Sequence, residues 1–137
     1  MTQSPNRLVA TIFGAVYLLV GVLGLFVAGG NFVGQEGGLL LGVFQVNHLH
    51  NIAHLLIGAA LLAAGLRSTP AAKGTNTTVG AVYLLLGIIG FFIADTALNI
   101  LALNTADHYL HLASAIVLLG VGLALDRGTT TARRAAV

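Results

Sequence analysis

Apolar residues run along the chain in four long stretches that short polar segments interrupt. The stretches cover residues 8–28, 49–66, 79–94 and 109–125, and the third extends to Leu103 if Asp95 is tolerated within it. A helix needs about 20 apolar residues to cross about 30 Å of hydrocarbon. The pattern therefore predicts four membrane-spanning helices, with polar breaks after the first span and at residues 67–76 between the second and third.

Composition narrows the class of protein. Charged residues make up 7% of the 137 residues and hydrophobic residues 57%, with a mean hydropathy of +0.95. A soluble domain carries about 25% charged residues, so a soluble monomer and a disordered chain are both excluded. The absence of cysteine excludes disulfides and thiolate metal sites. We expect one membrane domain over residues 1–137, in contact with the lipid bilayer and not with nucleic acid.

The basic residues predict the orientation in the membrane. All of them fall before the first span, between the second and third, or after the fourth: Arg7, Arg67, Lys73, Arg127, Arg133 and Arg134. By the positive-inside rule, both termini and a basic tail over residues 128–137 are cytoplasmic.

The chain also repeats itself. The run Gly-Ala-Val-Tyr-Leu-Leu at 14–19 recurs at 80–85, 66 positions later, and the second halves align 57 positions apart. The repeats cover about 8–67 and 79–127. Two spans in each repeat keep both copies in the same orientation, so we predict an all-α integral membrane four-helix bundle built from two tandem parallel-repeat helical hairpins.

The first helix of each repeat carries small residues at steps of three and four. These are Gly14, Gly21, Gly24 and Ala28, and then Gly80, Gly87, Gly90 and Ala94. Small residues let helix backbones approach closely in a membrane. Tyr17 and Tyr83 share this face near mid-membrane, where each hydroxyl either bonds a neighbouring helix, contacts a ligand or relays a proton. Short apolar pieces at 39–46 and 96–103 are predicted to lie along the outer surface.

Polar side chains gather where the second helix of each repeat begins. His50 and His54 lie four residues apart and share a helix face, as do Asp107 and His111. The alignment sets His50 against Asp107 and His54 against His111. If the two helices face each other, three imidazoles and a carboxylate converge. That set suits zinc, copper or another borderline divalent metal. Matching depth also makes His54 and His111 candidate axial ligands of haem b.

A purely structural interpretation stays open. Asn47 and Asn104 are good N-cap residues, and Asp107 is the third residue of its helix, close to a capping box. His54 and His111 could bond to Asp107, to each other or to carbonyls across the bundle. Asn51 supports the cluster, and the interfacial His48 and His108 are incidental or extra ligands. Ionisable residues inside a membrane are nevertheless costly and often functional, which keeps metal, small-molecule, lipid and proton traffic as alternatives.

The residues of these motifs resemble the uncharacterised bacterial four-helix membrane family DUF4383. The resemblance runs from about residue 7 to 127, through the run that begins at Gly14 and through the spaced polar residues of both second helices. The residues of these two motifs are Asn47, His50, Asn51, His54 and Gly58, and then Asn104, Asp107, His111 and Leu112. The resemblance implies a multi-pass protein of the bacterial plasma membrane and no particular activity.

Three functional hypotheses follow. The first is a binding or accessory protein whose pocket of His50, His54, Asp107 and His111 holds a metal ion or small ligand. The second is a structural subunit of a larger membrane complex, packed through the glycine faces, with the polar cluster only holding the helices together. As a partner, the sequence leaves open either such a complex or further copies of the same chain in a homo-oligomer. The third is a haem electron carrier. No serine lies beside a base in a glycine-rich elbow and no phosphate loop is present, so nothing in the sequence favours an enzyme and no catalytic residue is predicted.

Overall fold

The computed structural model describes residues 4–128, which form four helices and one short hairpin. The elements are α1 Pro5–Val27, β1 Gly38–Leu40, β2 Phe44–Val46, α2 His48–Arg67, α3 Thr69–Ile93 and α4 Thr105–Ala124. The predicted all-α four-helix bundle is confirmed. Arg133, Arg134 and most of the predicted basic tail lie outside the described residues.

Each helix begins at a polar residue whose side chain accepts a hydrogen bond from the first turn. Asn47 accepts one from the backbone N of His50, at 2.9 Å, and Asn104 one from the backbone N of Asp107, at 3.1 Å. Ser4 and Ser68 cap α1 and α3 in the same way, each followed by a proline in the first turn. These caps satisfy helix N–H groups that have no partner within the helix, and they explain where the helices start.

The predicted polar break at 67–76 is wrong, because a single residue, Ser68, separates α2 from α3. The backbone N–H of Ser68 closes α2 by bonding to Ala64, and its side chain opens α3 by accepting from the backbone N of Ala71. Pro70 is compatible with the helix because a first-turn residue needs no N–H donor. The polar stretch is therefore the first two turns of α3.

The helices pack in two pairs, α1 with α2 and α3 with α4, through their glycine faces. A Cβ added at Gly14 would lie 2.5 Å from the backbone N of Leu62, and one added at Gly80 would lie 2.8 Å from the backbone N of Leu119. Only glycine allows such close backbone approach. The two contacts are related by the offsets of 66 and 57 residues found in the sequence. The tandem duplication itself stays a prediction.

The outward faces of the helices are apolar. Phe26, Leu56, Phe92 and Ile116 are each at least two-thirds exposed, a surface that lipid covers favourably and water does not. All four helices are long and apolar enough to cross a membrane. These features indicate a multi-pass membrane protein.

The two long connections meet over one end of the bundle, which we call the histidine end. The first contains the β-hairpin, whose strands pair antiparallel with Leu39 opposite Gln45, and the second turns without forming a strand. The Nδ2 of Asn47 donates to the carbonyls of Gly34 and Ile100, at 3.0 and 2.8 Å, and the Nδ2 of Asn104 donates to Val43 O at 2.8 Å. The helix caps thus also tie the two connections together.

The opposite end of the bundle, which we call the terminal end, is held by a polar network that the sequence interpretation missed. Asn6 Nδ2 donates to Asp126 Oδ2 at 2.8 Å, and Asn76 Nδ2 donates to Asn6 Oδ1 at 3.0 Å. Ser4 Oγ also donates to Asp126 Oδ2, at 2.8 Å. The network joins the start of α1 to α3 and to Asp126, two residues after α4, and so fixes the two helical pairs to each other.

Candidate metal centre

Three histidines converge at the histidine end of the core. Helix α2 supplies His50 and His54 from successive turns, and α4 supplies His111. One ring nitrogen from each lies within 4.8 Å of the others. Their side chains are 2%, 5% and 4% exposed, so this group is inside the protein and not at its surface. The structure therefore brings together three of the four predicted metal ligands.

The two histidines of α2 are close enough to share one proton or one cation. Their Nε2 atoms lie 3.2 Å apart. If one Nε2 carries hydrogen it donates to the other, whereas two bare lone pairs at this distance repel unless a positive ion lies between them. The Nδ1 atoms of His50, His54 and His111 are buried without a hydrogen-bond partner.

Two of the three imidazole rings stack on tyrosine rings. Tyr17 stacks on His54 with 5.4 Å between ring centroids, and Tyr83 stacks on His111 at 4.9 Å and 9° between planes. Tyr17 and Tyr83 meet edge to face at 5.5 Å. The Tyr17 hydroxyl faces Ser114 and Tyr83 without meeting hydrogen-bond geometry. The aromatic packing fixes the orientation of two rings, and Ser114 is a neighbour that the sequence interpretation missed.

Asp107 has a different role from the one expected of a fourth ligand. Its Oδ2 accepts a hydrogen bond from the backbone N of Asn104 at 2.8 Å, and its own backbone N donates to the Asn104 side chain, which completes the capping box. No carboxylate joins the three histidines among residues 4–128. The acid is thus used locally, where the N-terminus of α4 attracts negative charge.

The supporting polar residues divide into caps and packing groups. Asn47 and Asn104 cap helices and tie the connections, as described above. Asn51 packs against Gly24, with its amide buried and without a hydrogen-bond partner. His108 packs in the corresponding way against Gly90, with its ring centroid 4.8 Å from that of Phe91.

His48 lies apart from the cluster. Its Nε2 is 2.9 Å from the carbonyl oxygen of Gly29, and its ring stacks on Phe32 at 6.2 Å. Neither His48 nor His108 belongs to the group of three, so neither is placed as an extra ligand.

The pocket is closed by apolar residues on the side of the terminal end. Leu61 and Leu118 follow His54 and His111 by seven residues, about 10 Å along each helix. Both are fully buried and pack with Val79, Ala115 and the two tyrosines. On the opposite side, the His50 ring lies beside the backbone of Gln45 in β2 and of Leu101. The histidines therefore occupy a small chamber between an apolar layer and the tied connections.

Comparison with known proteins gives a family and no nearer relative. No curated protein and no solved structure matches the chain. The family model described as "Domain of unknown function (DUF4383)" matches residues 7–124, nearly all of the span that the four helices cover. The chain therefore belongs to the DUF4383 family.

Proposed function

We propose that this is a metal-binding integral membrane protein whose site is formed by His50, His54 and His111. The observation that carries the proposal is the convergence of three buried ring nitrogens within 4.8 Å. We further propose that the protein lies in the bacterial plasma membrane with both termini in the cytoplasm. The described basic residues Arg7, Arg67, Lys73 and Arg127 belong to the segments at the terminal end, as the positive-inside rule requires.

The spacing of the nitrogens fits coordination. In a tetrahedral site with metal–nitrogen bonds of about 2.0–2.1 Å, two ligand nitrogens lie about 3.3 Å apart. The Nε2 atoms of His50 and His54 are already 3.2 Å apart. His111, within 4.8 Å of both, needs a movement of about 1.5 Å to complete such a set, which is within the range of a side-chain adjustment.

A purely structural role accounts less well for the cluster. The Nδ1 atoms of all three histidines have no hydrogen-bond partner, and the Nε2 contact between His50 and His54 lies within α2, so these ring nitrogens do not bond the helices to one another. The helices are already aligned by their glycine faces and by the network at the terminal end. A bound ion gives the buried imidazoles a role that packing alone does not require.

The two alternative functions receive less support. The ring centroids of His54 and His111 are 6.5 Å apart, a separation compatible with axial ligation of one iron. The rings of His50, Tyr17 and Tyr83, however, occupy the space that the porphyrin would need. A porphyrin therefore does not fit without repacking of the core. A subunit that docks through its glycine faces would need those faces free, and they are used in the packing of α1 on α2 and of α3 on α4.

Metal analysis of the purified protein tests the proposal. We expect about one equivalent of metal per chain after reconstitution and dialysis, and its loss in His54→Gln and His111→Gln. His48→Gln is the matched control, because it makes the same change outside the group. Folding is checked by gel filtration and far-ultraviolet circular dichroism. Equal metal content in the wild type and in folded His54→Gln would refute the proposal, as would a wild type that binds neither zinc nor copper.

A further inference from the structure

We propose that the site selects monovalent copper, Cu(I), over Zn(II). This inference rests on the proposed metal site and adds the identity of its ion. It follows from two properties of the chamber, namely the charge of the ligands and the number of ligands that the chain supplies.

The charge of the ligand set favours an ion of low charge. Three neutral imidazoles contribute no negative charge, and within residues 4–128 no carboxylate joins them. The cost of moving an ion from water into a medium of low dielectric constant rises with the square of its charge, so it is about four times larger for a divalent ion than for a monovalent one. An anionic ligand would offset this cost, but Asp107, the nearest candidate in sequence, is used in the capping box.

The number of ligands points the same way. Zinc is almost always four-coordinate, and where a protein supplies three ligands the fourth is water or substrate. Here the Tyr17 and Tyr83 rings cover two imidazoles, and Leu61 and Leu118 close the chamber on the side of the terminal end. A closed-shell Cu(I) ion accepts three nitrogen ligands without a fourth, and imidazole is a suitable ligand for copper. The three imidazoles complete the coordination of Cu(I), whereas Zn(II) would need a fourth ligand, for which the two tyrosine rings and the leucine layer restrict the space.

The test compares the two ions on the wild-type protein in detergent. Cu(I) affinity is measured without oxygen, under ascorbate, by competition with a chromophoric Cu(I) chelator. Zn(II) affinity is measured by competition with a chromophoric zinc chelator. We expect one Cu(I) per chain, bound at least about 100-fold more tightly than Zn(II), and an X-ray absorption edge typical of three-coordinate Cu(I) with nitrogen ligands.

Variants show whether the copper lies in the chamber. His50→Gln, His54→Gln and His111→Gln should each weaken Cu(I) binding by at least about 100-fold, and His48→Gln should leave it unchanged. Zn(II) binding as tight as Cu(I) binding, lost in the same variants, would overturn the copper inference and leave the metal site standing. Absence of binding by either ion would overturn both. The wild-type comparison does not depend on whether the variants fold.

Discussion

The close contact between α1 and α2 at Gly14 makes a quantitative prediction about stability. A methyl group placed there would lie 2.5 Å from the backbone N and 2.8 Å from the Cα of Leu62, where ordinary contact begins near 3.4 Å. The obstacle is backbone, so no side-chain rotation relieves it, and the helices must move apart locally by about 1 Å. Overpacking of this kind costs about 1–3 kcal/mol. We expect Gly14→Ala to lower the free energy of unfolding by about 2 kcal/mol relative to a control.

The control is Gly120→Ala, at an exposed helical position where an added Cβ meets nothing within 4 Å. Both variants gain the same helix propensity, about 1 kcal/mol for alanine over glycine, so the difference between them isolates the helix contact. The free energy of unfolding is measured by titrating the detergent-solubilised proteins with sodium dodecyl sulfate and following helicity by circular dichroism. Gly80→Ala should resemble Gly14→Ala, because its Cβ would lie 2.8 Å from the backbone N of Leu119. A Gly14→Ala protein as stable as Gly120→Ala would refute the packing argument.

Three further predictions concern the ends of the bundle. Partial burial raises the pKa of Asp126, but hydrogen bonds from the network at the terminal end outweigh this effect and leave the pKa below the usual 3.8. The ionised carboxylate therefore contributes its full stabilisation of the fold above about pH 5, and this contribution is lost as pH falls through the lowered pKa. Melting temperatures measured from pH 3 to 7 should fall less steeply for Asp126→Asn than for the wild type, and equal slopes would contradict this. Asn47→Ala removes a helix cap and two further side-chain hydrogen bonds, one of them to Ile100 in the second connection, and should cost about 1–3 kcal/mol of unfolding free energy. The same detergent titration measures this cost, and an unchanged value would show that these bonds contribute nothing. The chain has no cysteine, so Glu36→Cys and Lys73→Cys each introduce a single thiol. We expect the thiol of Glu36→Cys to react with an impermeant maleimide from outside the cell and that of Lys73→Cys not to react. The reverse result would show that the proposed orientation is inverted.

Much of the fold was predictable because a membrane imposes a simple length rule on apolar helices. All four predicted spans overlap the observed helices, and the boundary error was largest where Pro70 and the polar residues after it were assigned to a loop. Proline interrupts a helix when it lies in the interior of that helix, whereas a proline in the first turn is compatible with it. Ser68, which ends one helix and starts the next, gave no signal that distinguishes it from an ordinary loop serine.

The candidate site was predictable to the extent that it depends on helix periodicity and on the internal match. The spacing predicted that His50 and His54 share a helix face, and the alignment of the second helices predicted that His54 lies opposite His111. In the structure the ring centroids of His54 and His111 are 6.5 Å apart. Residue spacing did not show which role the Asp107 side chain has, because Asp107 fits both a metal-ligand pattern and a capping box. In the structure the Oδ2 of Asp107 accepts a hydrogen bond from the backbone N of Asn104, three residues earlier in the chain.

The network at the terminal end was missed for a related reason. In a membrane helix both faces are apolar, so hydrophobic periodicity does not show which face is inside. Asn6 and Asn76 are fully buried, yet Asn6 precedes the first apolar stretch and Asn76 belongs to the segment that was predicted to be a break between spans. A buried asparagine in a membrane helix signals a contact with a neighbouring helix, but the sequence alone does not identify the partner, here Asp126 beyond α4.

The single-residue junction at Ser68 determines where the molecule has freedom to move. With one residue between α2 and α3, the angle between these helices cannot change without breaking a cap of one of them. The two helical pairs are therefore held at both ends, by the Ser68 junction and the Asn6–Asp126 contact at the terminal end and by hydrogen bonds between the two long connections at the histidine end. Under the proposed function, an ion would reach the histidines only where the hydrogen bonds between residues 28–47 and 94–104 open. The side chains of Asn47 and Asn104, which cap α2 and α4, would then also control how readily the site opens.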